Sequence, residues 1–419
     1  VVIDAASGAS WTAEELSAEA ARVALGQLGD FRPGERIAFR LPNGAAWLAF
    51  FLALQRGRLE AIPLDASLPE EGCRDTARRF GARGLFIDGV MHALGRRRVR
   101  DRDVACIKVT SGSGALPKAI ACRGSHLLAD GRQVISTMKI GPRDINLGVI
   151  PLGHSYGLGN LVMPLILQGT AVVCASEYMP RQILEWIARY RVTVFPAVPA
   201  LFRVLAALPV GEGTLAPLRT AISAGAVLAS GVAQAFHARF GRKIHNFYGS
   251  SETGGICYDR TGAASLSGRS VGRPMDGVKV TVKARRVTVA SAAVATATGR
   301  WRLGDFGEWN ARGELVLLGR AGQGANIGGK KVHPLEVERA LRALPGVTDA
   351  SVWLAQHDGR DWLAAAVETA HEQAQIEKAL VERLPGWKLP KLYVVLREFP
   401  RTGRGKLDVA ALKARVTGL

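Results

Sequence analysis

The feature that most limits the fold is an alternation. Short apolar runs of strand character are followed by amphipathic stretches of helical period, and the order strand–helix–strand recurs along the chain. Ile37–Leu41 reads as a strand, Ala45–Arg56 as a helix and Ala61–Leu64 as the next strand. Helical Arg181–Tyr190 precedes strand-like Val192–Phe195, and Thr220–Ser223, Gly231–Phe240 and Ile244–Tyr248 repeat the pattern. Consecutive strands joined by helices pair in parallel, because the crossover returns each strand to the same end of the sheet. The chain is therefore expected to be α/β, with parallel-rich sheets flanked by helices. Thr12 opens a capping box with Glu15, and Leu16, Ala20, Val23 and Leu28 follow at helical spacing, which predicts a helix there.

The texture changes twice. Between Val271 and Val289 β-branched residues cluster in short runs, which predicts a small, β-barrel-like subdomain. Gly319–Gly329 is dense in glycine and suits a hinge. About a hundred residues of mixed helix and strand follow, enough for a small α+β domain. The expected division is residues 1–319 as a large domain and 320–419 as a small mobile one, with the hinge near 320–324.

Charge and cysteine usage narrow the classes. The net charge of +19 points to acidic partners, yet only Arg96, Arg97 and Arg98, with Arg100 and Arg102, are densely grouped. No helix-turn-helix, zinc-finger or aromatic RNA-binding pattern accompanies them, so nucleic acid binding is not expected. The five cysteines are odd in number and scattered, with no CxxC, which argues against a disulfide framework or zinc site and suits a cytoplasmic protein. No apolar run reaches the roughly 18 residues of a membrane span, and no secretory leader is evident at the start.

Four short motifs carry chemistry. Thr110-Ser111-Gly112-Ser113-Gly114-Ala115-Leu116-Pro117-Lys118 follows the strand-like Ala105–Val109. Small residues let amides and hydroxyls approach phosphate oxygens, and a lysine adds charge. The GK[ST] ending of NTPase P-loops is absent. Asn246-Phe-Tyr-Gly-Ser-Ser-Glu252 runs a strand into glycine, hydroxyls and one carboxylate, which could hold a Mg²⁺ brought by a nucleotide. Leu303-Gly-Asp305, with Gly319-Arg320 beyond it, offers a carboxylate for two ribose hydroxyls. Pro400-Arg-Thr-Gly-Arg-Gly-Lys406 places a lysine on a glycine-rich loop that could reach a distant site if the small domain closes. Taken singly, each also fits a solvated turn or loop.

In their order, these motifs resemble the adenylate-forming superfamily of acyl-CoA synthetases, peptide-synthetase adenylation domains and luciferases. The resemblance runs almost end to end. It includes Leu41-Pro-Asn43, Pro63-Leu-Asp65, Pro151-Leu-Gly-His-Ser-Tyr-Gly157, Ser223-Ala-Gly-Ala226, Ser270-Val-Gly-Arg-Pro274 and Gly328-Gly-Lys-Lys-Val-His-Pro-Leu-Glu-Val-Glu338. It implies that ATP activates a carboxylic acid as acyl-adenylate with release of pyrophosphate, after which the small domain rotates and a thiol takes the acyl group. Coenzyme A is the leading acceptor, with the phosphopantetheine of an acidic carrier protein as the runner-up. A nucleotide-binding member without turnover is the alternative of another class.

Carried over by position, Thr110, Ser111, Gly112, Ser113 and Lys118 grip the leaving phosphates. Ala224, Gly225 and Ala226 flank adenine, with Asn246 near its amino group and Tyr248 stacking. Gly249 and Ser250 belong to the same nucleotide-binding turn, while Ser251 and Glu252 serve phosphate and Mg²⁺. Asp305 takes the ribose hydroxyls, with Arg320 beside it. Lys406 neutralises charge where carboxylate and α-phosphate meet. His154 borders the acyl pocket, Gly322 is the hinge, and Gly329 lines the thiol's approach.

Departures from the family pattern are also informative. Gly114, Ala115 and Ala119 stand where the family's phosphate loop has Thr, Gly and Gly. Leu303 replaces a Thr, and Gly322 replaces an Asp or Lys. The stretches Asp65–Thr110 and Gly277–Trp301 are short. Amino-acid-activating relatives carry an acyl-pocket Asp, and Gly153–Leu158 has no carboxylate. An aryl or aliphatic acid is therefore the expected substrate.

Overall fold

The computed structural model describes residues 1–95, 103–110, 118–209, 215–320, 325–327, 330–332, 334–357, 360–401 and 407–416. Two parallel-rich sheets dominate the N-terminal three quarters of the chain. The larger has the strand order Arg273–Pro274, Gly254–Tyr258, Ile244–Ser250, Thr220–Ser223, Val194–Ala197, Ile145–Gly148, Ala171–Cys174, Val2–Asp4, Ser10–Trp11. From Ile244–Ser250 through Val2–Asp4 every neighbouring pair is parallel, and antiparallel strands close both edges. The second sheet runs Val90–Ala93, Gly84–Ile87, Arg36–Arg40, Glu60–Pro63, Val104–Thr110, Lys118–Arg123. Its central pairs are parallel, and each edge is a hairpin.

The helices form where the sequence pattern places them. Thr12 caps Ala13–Gly26, its hydroxyl accepting from the Glu15 amide while Glu15 accepts from the Thr12 amide. Ala45–Arg56 is almost wholly apolar and buried, because it lies inside the core rather than on its surface. Phe39, Trp47, Phe50, Phe51 and Phe86 stack there with ring centroids 4.5–5.5 Å apart.

One strand is displaced from its sequence reading. It spans Val194–Ala197, not Val192–Phe195. Arg191 takes φ +51° and the Val192 amide bonds back to Ile187, so those residues complete the exit from helix Pro180–Arg189. The β-branched region is a four-stranded antiparallel sheet of Lys279–Lys283, Arg286–Ala290, Arg300–Trp309 and Leu315–Arg320.

The apolar core of this part gathers residues from Val2 to Leu315. Separate clusters, Val332 to Leu380 and Trp353 to Leu412, support the C-terminal part. There Val347–His357, Arg360–Thr369 and Leu392–Leu396 form a three-stranded sheet, with helices Pro334–Arg342, Gln373–Val381 and Val409–Val416. Among the described residues no helix is long and apolar enough to cross a membrane. All five cysteines are buried and unpaired, and burial pushes the Cys174 thiol up to about 12, which keeps it protonated.

Candidate active site

A cavity of about 1300 Å³ opens where the two parallel-rich sheets and the C-terminal part meet. Asn43 builds one wall. Its side-chain amide donates to the carbonyls of Gly148 and Ile150 (3.2 and 2.9 Å) and its oxygen accepts from the Leu152 amide (3.0 Å). This pins the chain leading into His154. His154 itself caps the short turn Ser155–Gly157, its Nδ1 accepting from the Tyr156 amide at 3.3 Å, and it faces the cavity. Tyr156 lies below, buried, with its hydroxyl donating to the Ile222 carbonyl at 2.9 Å. Burial pushes that phenol well above its ordinary range, so it is a neutral donor.

The strand ends Thr220–Ser223 and Ile244–Ser250 bring some of the predicted nucleotide residues to the same cavity, while Asn246, Tyr248, Glu252 and Asp305 are not among its lining. Ala224, Gly225, Gly249, Ser250 and Ser251 all line it. Gly225 takes φ +86°, a left-handed turn that favours glycine and presents its backbone to the cavity. The Ser155 hydroxyl donates to Ser251 at 2.9 Å, joining the His154 turn to the Glu252 turn. Tyr248 donates to Asp305 Oδ2 at 2.7 Å, and Asp305 lies opposite Arg320 in the antiparallel pair. Asn246 donates to the Ser270 carbonyl at 3.2 Å. Ala226 is exposed beyond Gly225. Thr110 and Lys118, which flank segment 111–117 in sequence, are register partners.

Several expected residues lie outside the described ones: Ser111, Gly112 and Ser113 of the phosphate loop, hinge Gly322, Gly329 and Lys406. The chain flanking Lys406 is described. Arg401 and Leu407 form an isolated antiparallel bridge, and Arg401 and Glu398 line the cavity from the C-terminal side.

Sequence reasoning did not single out Asp130. It is 5% exposed, lines the cavity, and accepts from the Gly255 amide at 2.9 Å. Burial pushes its carboxyl up, opposed by the charge of Lys108, itself 4% exposed, and by that amide. Lys108 lies just before Thr110, and Gly255 just after Glu252. The Asp130–Gly255 bond thus ties helix Gly124–Met138 to the strand that follows the acidic turn. A lone lysine in an apolar strand was the available signal.

The site also fits the groups its chemistry needs. The Glu252 carboxylate is half-buried and has no hydrogen bond or ion pair among the described residues. Among those residues no three His, Cys, Asp or Glu side chains converge as a metal site. An ion held by one carboxylate and by phosphate oxygens suits that arrangement. Asp305 is oriented by the Tyr248 hydroxyl, as a ribose acceptor would require.

Fold and site together define an adenylate-forming enzyme. The family model described as AMP-binding enzyme matches residues 1–101 and 92–288, and that of the AMP-binding enzyme C-terminal domain matches 336–406. The chain belongs to the AMP-binding enzyme family. A feruloyl-CoA synthase from Amycolatopsis sp is 27% identical over 97% of this chain and 94% of its own. An indoleacetate–CoA ligase from Aromatoleum aromaticum strain EbN1 is 26% identical over 74% of this chain and 67% of its own. In fold, the chain is similar to ATP-bound MatB from Rhodopseudomonas palustris, with TM-score 0.85 at 22% identity, covering 99% of this chain and 95% of that one.

Proposed function

We propose that this chain activates an aryl or aliphatic carboxylic acid and transfers it to coenzyme A. It is an AMP-forming acid–thiol ligase that uses ATP and Mg²⁺. The observation that carries the reading is the convergence of His154, Gly225, Gly249–Ser251 and Arg401, from four distant stretches of sequence, on one cavity. The similarity to CoA-joining relatives supports coenzyme A as the acceptor.

In the first half-reaction, the acid's carboxylate oxygen bonds to the α-phosphorus of ATP and the bond to the β-phosphate bridging oxygen breaks. Pyrophosphate leaves. Thr110, Lys118 and the loop between them hold the departing phosphates. Asp305, kept in place by Tyr248, accepts from the ribose hydroxyls. Glu252 would hold the Mg²⁺, which would screen phosphate charge. Lys406 neutralises the meeting of two anions at the reacting centre. We place the division between the domains at Arg320. Rotation of residues 320–419 about Gly322 would then let the thiol attack the acyl carbonyl, with AMP leaving.

The acyl end of the cavity is apolar, with Val149, Ile150, Leu201, Val204 and Phe247 among its lining. Asp130 is its buried carboxylate, and it already accepts from the Gly255 amide. It is therefore a poor partner for a substrate ammonium, which favours an acid without an α-amino group. The test is pyrophosphate release and thioester formation across benzoates, cinnamates, fatty acids and amino acids. Turnover with an aryl or alkyl acid, dependent on Mg²⁺ and yielding a coenzyme A thioester, is expected. Turnover with amino acids alone, or with none of the panel, would overturn the reading.

A further inference from the structure

The C-terminal part contains a hydrogen-bonded chain of charges that is incomplete by itself. Glu338 accepts from Arg342 Nη1 at 3.1 Å, and Arg342 Nε donates to Asp349 Oδ1 at 3.0 Å. Arg401 Nη2 donates to Asp349 Oδ2 at 3.0 Å and to Glu368 Oε2 at 3.3 Å. Three carboxylates thus face two guanidiniums. The third guanidinium comes from the large domain: Arg203, on helix Pro199–Ala207, pairs with Glu368 Oε1.

Glu368 is 2% exposed and fully engaged. Besides the two arginines it accepts from the Thr348 hydroxyl at 2.9 Å and from the Phe399 amide at 3.0 Å. Phe399 and Arg401 immediately precede segment 402–406, which ends in Lys406. Arg203 and Arg401 both line the cavity. One buried carboxylate therefore touches the large domain on one side and the root of the lysine loop on the other.

We propose that Arg203 and Glu368 form a latch made only in the adenylate-forming arrangement, with Glu368 the positioning residue that ties closure to the lysine loop. This rests on the reading above that the small domain rotates between half-reactions. The physical reason is charge balance. Without Arg203 the closed arrangement sets three carboxylates against two guanidiniums and leaves one negative charge in excess around the buried Glu368, whereas in a rotated arrangement water can reach it. Arg203 therefore stabilises one of two states, and a contact that favours one state shifts the population toward it.

The test separates the half-reactions, using whichever acid the wild-type enzyme accepts and its chemically prepared acyl-adenylate. Arg203→Gln is expected to slow pyrophosphate release about tenfold, a small part of the shift a full two-state swing needs. Thioester formation from the preformed acyl-adenylate should stay near the wild-type rate. Arg203→Lys, which keeps the charge, should restore most of the loss. Glu368→Gln should reproduce the Arg203→Gln pattern in protein whose thermal unfolding confirms a folded small domain. Equal losses in both half-reactions would assign Arg203 to the acyl cavity and overturn the latch. Unchanged adenylation in Arg203→Gln would overturn it too. A wild-type enzyme that releases no pyrophosphate with any acid would instead overturn the proposed function on which the latch rests.

Discussion

The two ends of the nucleotide site are built differently. At the adenosine end, polar side chains are already bonded within the protein: Tyr248 to Asp305 at 2.7 Å, Asn246 to the Ser270 carbonyl at 3.2 Å. At the phosphate end, the Glu252 carboxylate has no hydrogen bond or ion pair among the described residues. The difference follows from the ligand's charge. Ribose and adenine are neutral, so their recognition depends on acceptors and donors fixed in direction. The triphosphate is highly charged, so the groups that meet it act mainly by Coulomb attraction, which tolerates looser placement. Orientation is supplied beforehand at one end and charge at the other.

If this contrast holds, charge removal at the phosphate end should cost more than loss of one hydroxyl at the adenosine end. Lys406→Ala is the largest expected effect, a loss of about 10²–10³ in adenylation, the range seen when a transition-state charge partner is deleted. Thioester formation from preformed acyl-adenylate should change far less. A parallel collapse of both half-reactions would show that Lys406 acts elsewhere. Glu252→Gln comes next. It keeps shape and removes charge, and should cut adenylation at limiting Mg²⁺ by about tenfold, the equivalent of about 1.4 kcal/mol. Excess Mg²⁺ should recover part of that loss. Full activity at limiting Mg²⁺ would break the comparison at its acidic residue.

Tyr248→Phe probes the other end. The phenol oxygen holds Asp305, and deletion of such a bond is worth about 0.5–1.5 kcal/mol. The KM for ATP should rise by about two- to tenfold, with kcat little changed, since the bond orients a ribose acceptor rather than a reacting atom. A Tyr248→Phe effect as large as that of Lys406→Ala would reverse the contrast.

How much of this could be read from the sequence depends on how far each feature reaches along the chain. Local patterns sufficed for Ala45–Arg56 and Thr220–Ser223, whose bounds in the structure match the periodicity, and for the capping box at Thr12. The family resemblance pointed to His154, Gly225 and Asp305, of which the first two line the cavity and the third accepts from Tyr248 in mid-strand. Strand order was not legible. Val2–Asp4 pairs with Ala171–Cys174, and no local pattern encodes a partner so remote. The same holds for charges. Arg203 and Glu368 are 165 positions apart, and Lys108 and Asp130 lie on different elements. In one dimension each looks like an ordinary basic or acidic residue. The inversion at Arg191 was missed because a non-glycine residue with positive φ leaves no compositional mark.

The smallest expected effect concerns the phosphate loop and bears on why that end tolerates change. Gly114 and Ala115 stand where the family pattern has a hydroxyl residue and a glycine, so one donor to phosphate is lost and a methyl is added. Thr110 and Lys118, on either side of the loop in sequence, are nonetheless register partners whatever the residues between them. Asp130 accepts from the amide of Gly255, in the strand that follows Glu252, and the charge of Lys108, two residues before Thr110, acts on it. Paired ends and nearby charge supply most of what a loosely oriented, Coulomb-dominated contact needs. Restoring the pattern with Gly114→Thr and Ala115→Gly together should then lower the KM for ATP only about two- to fivefold, within the range of a single regained hydrogen bond. The kcat should hold, because the departing phosphates are gripped in ground and transition states alike. A hundredfold gain would mean that the natural loop barely holds phosphate, and that the phosphate end depends on directed bonds as strictly as the adenosine end does.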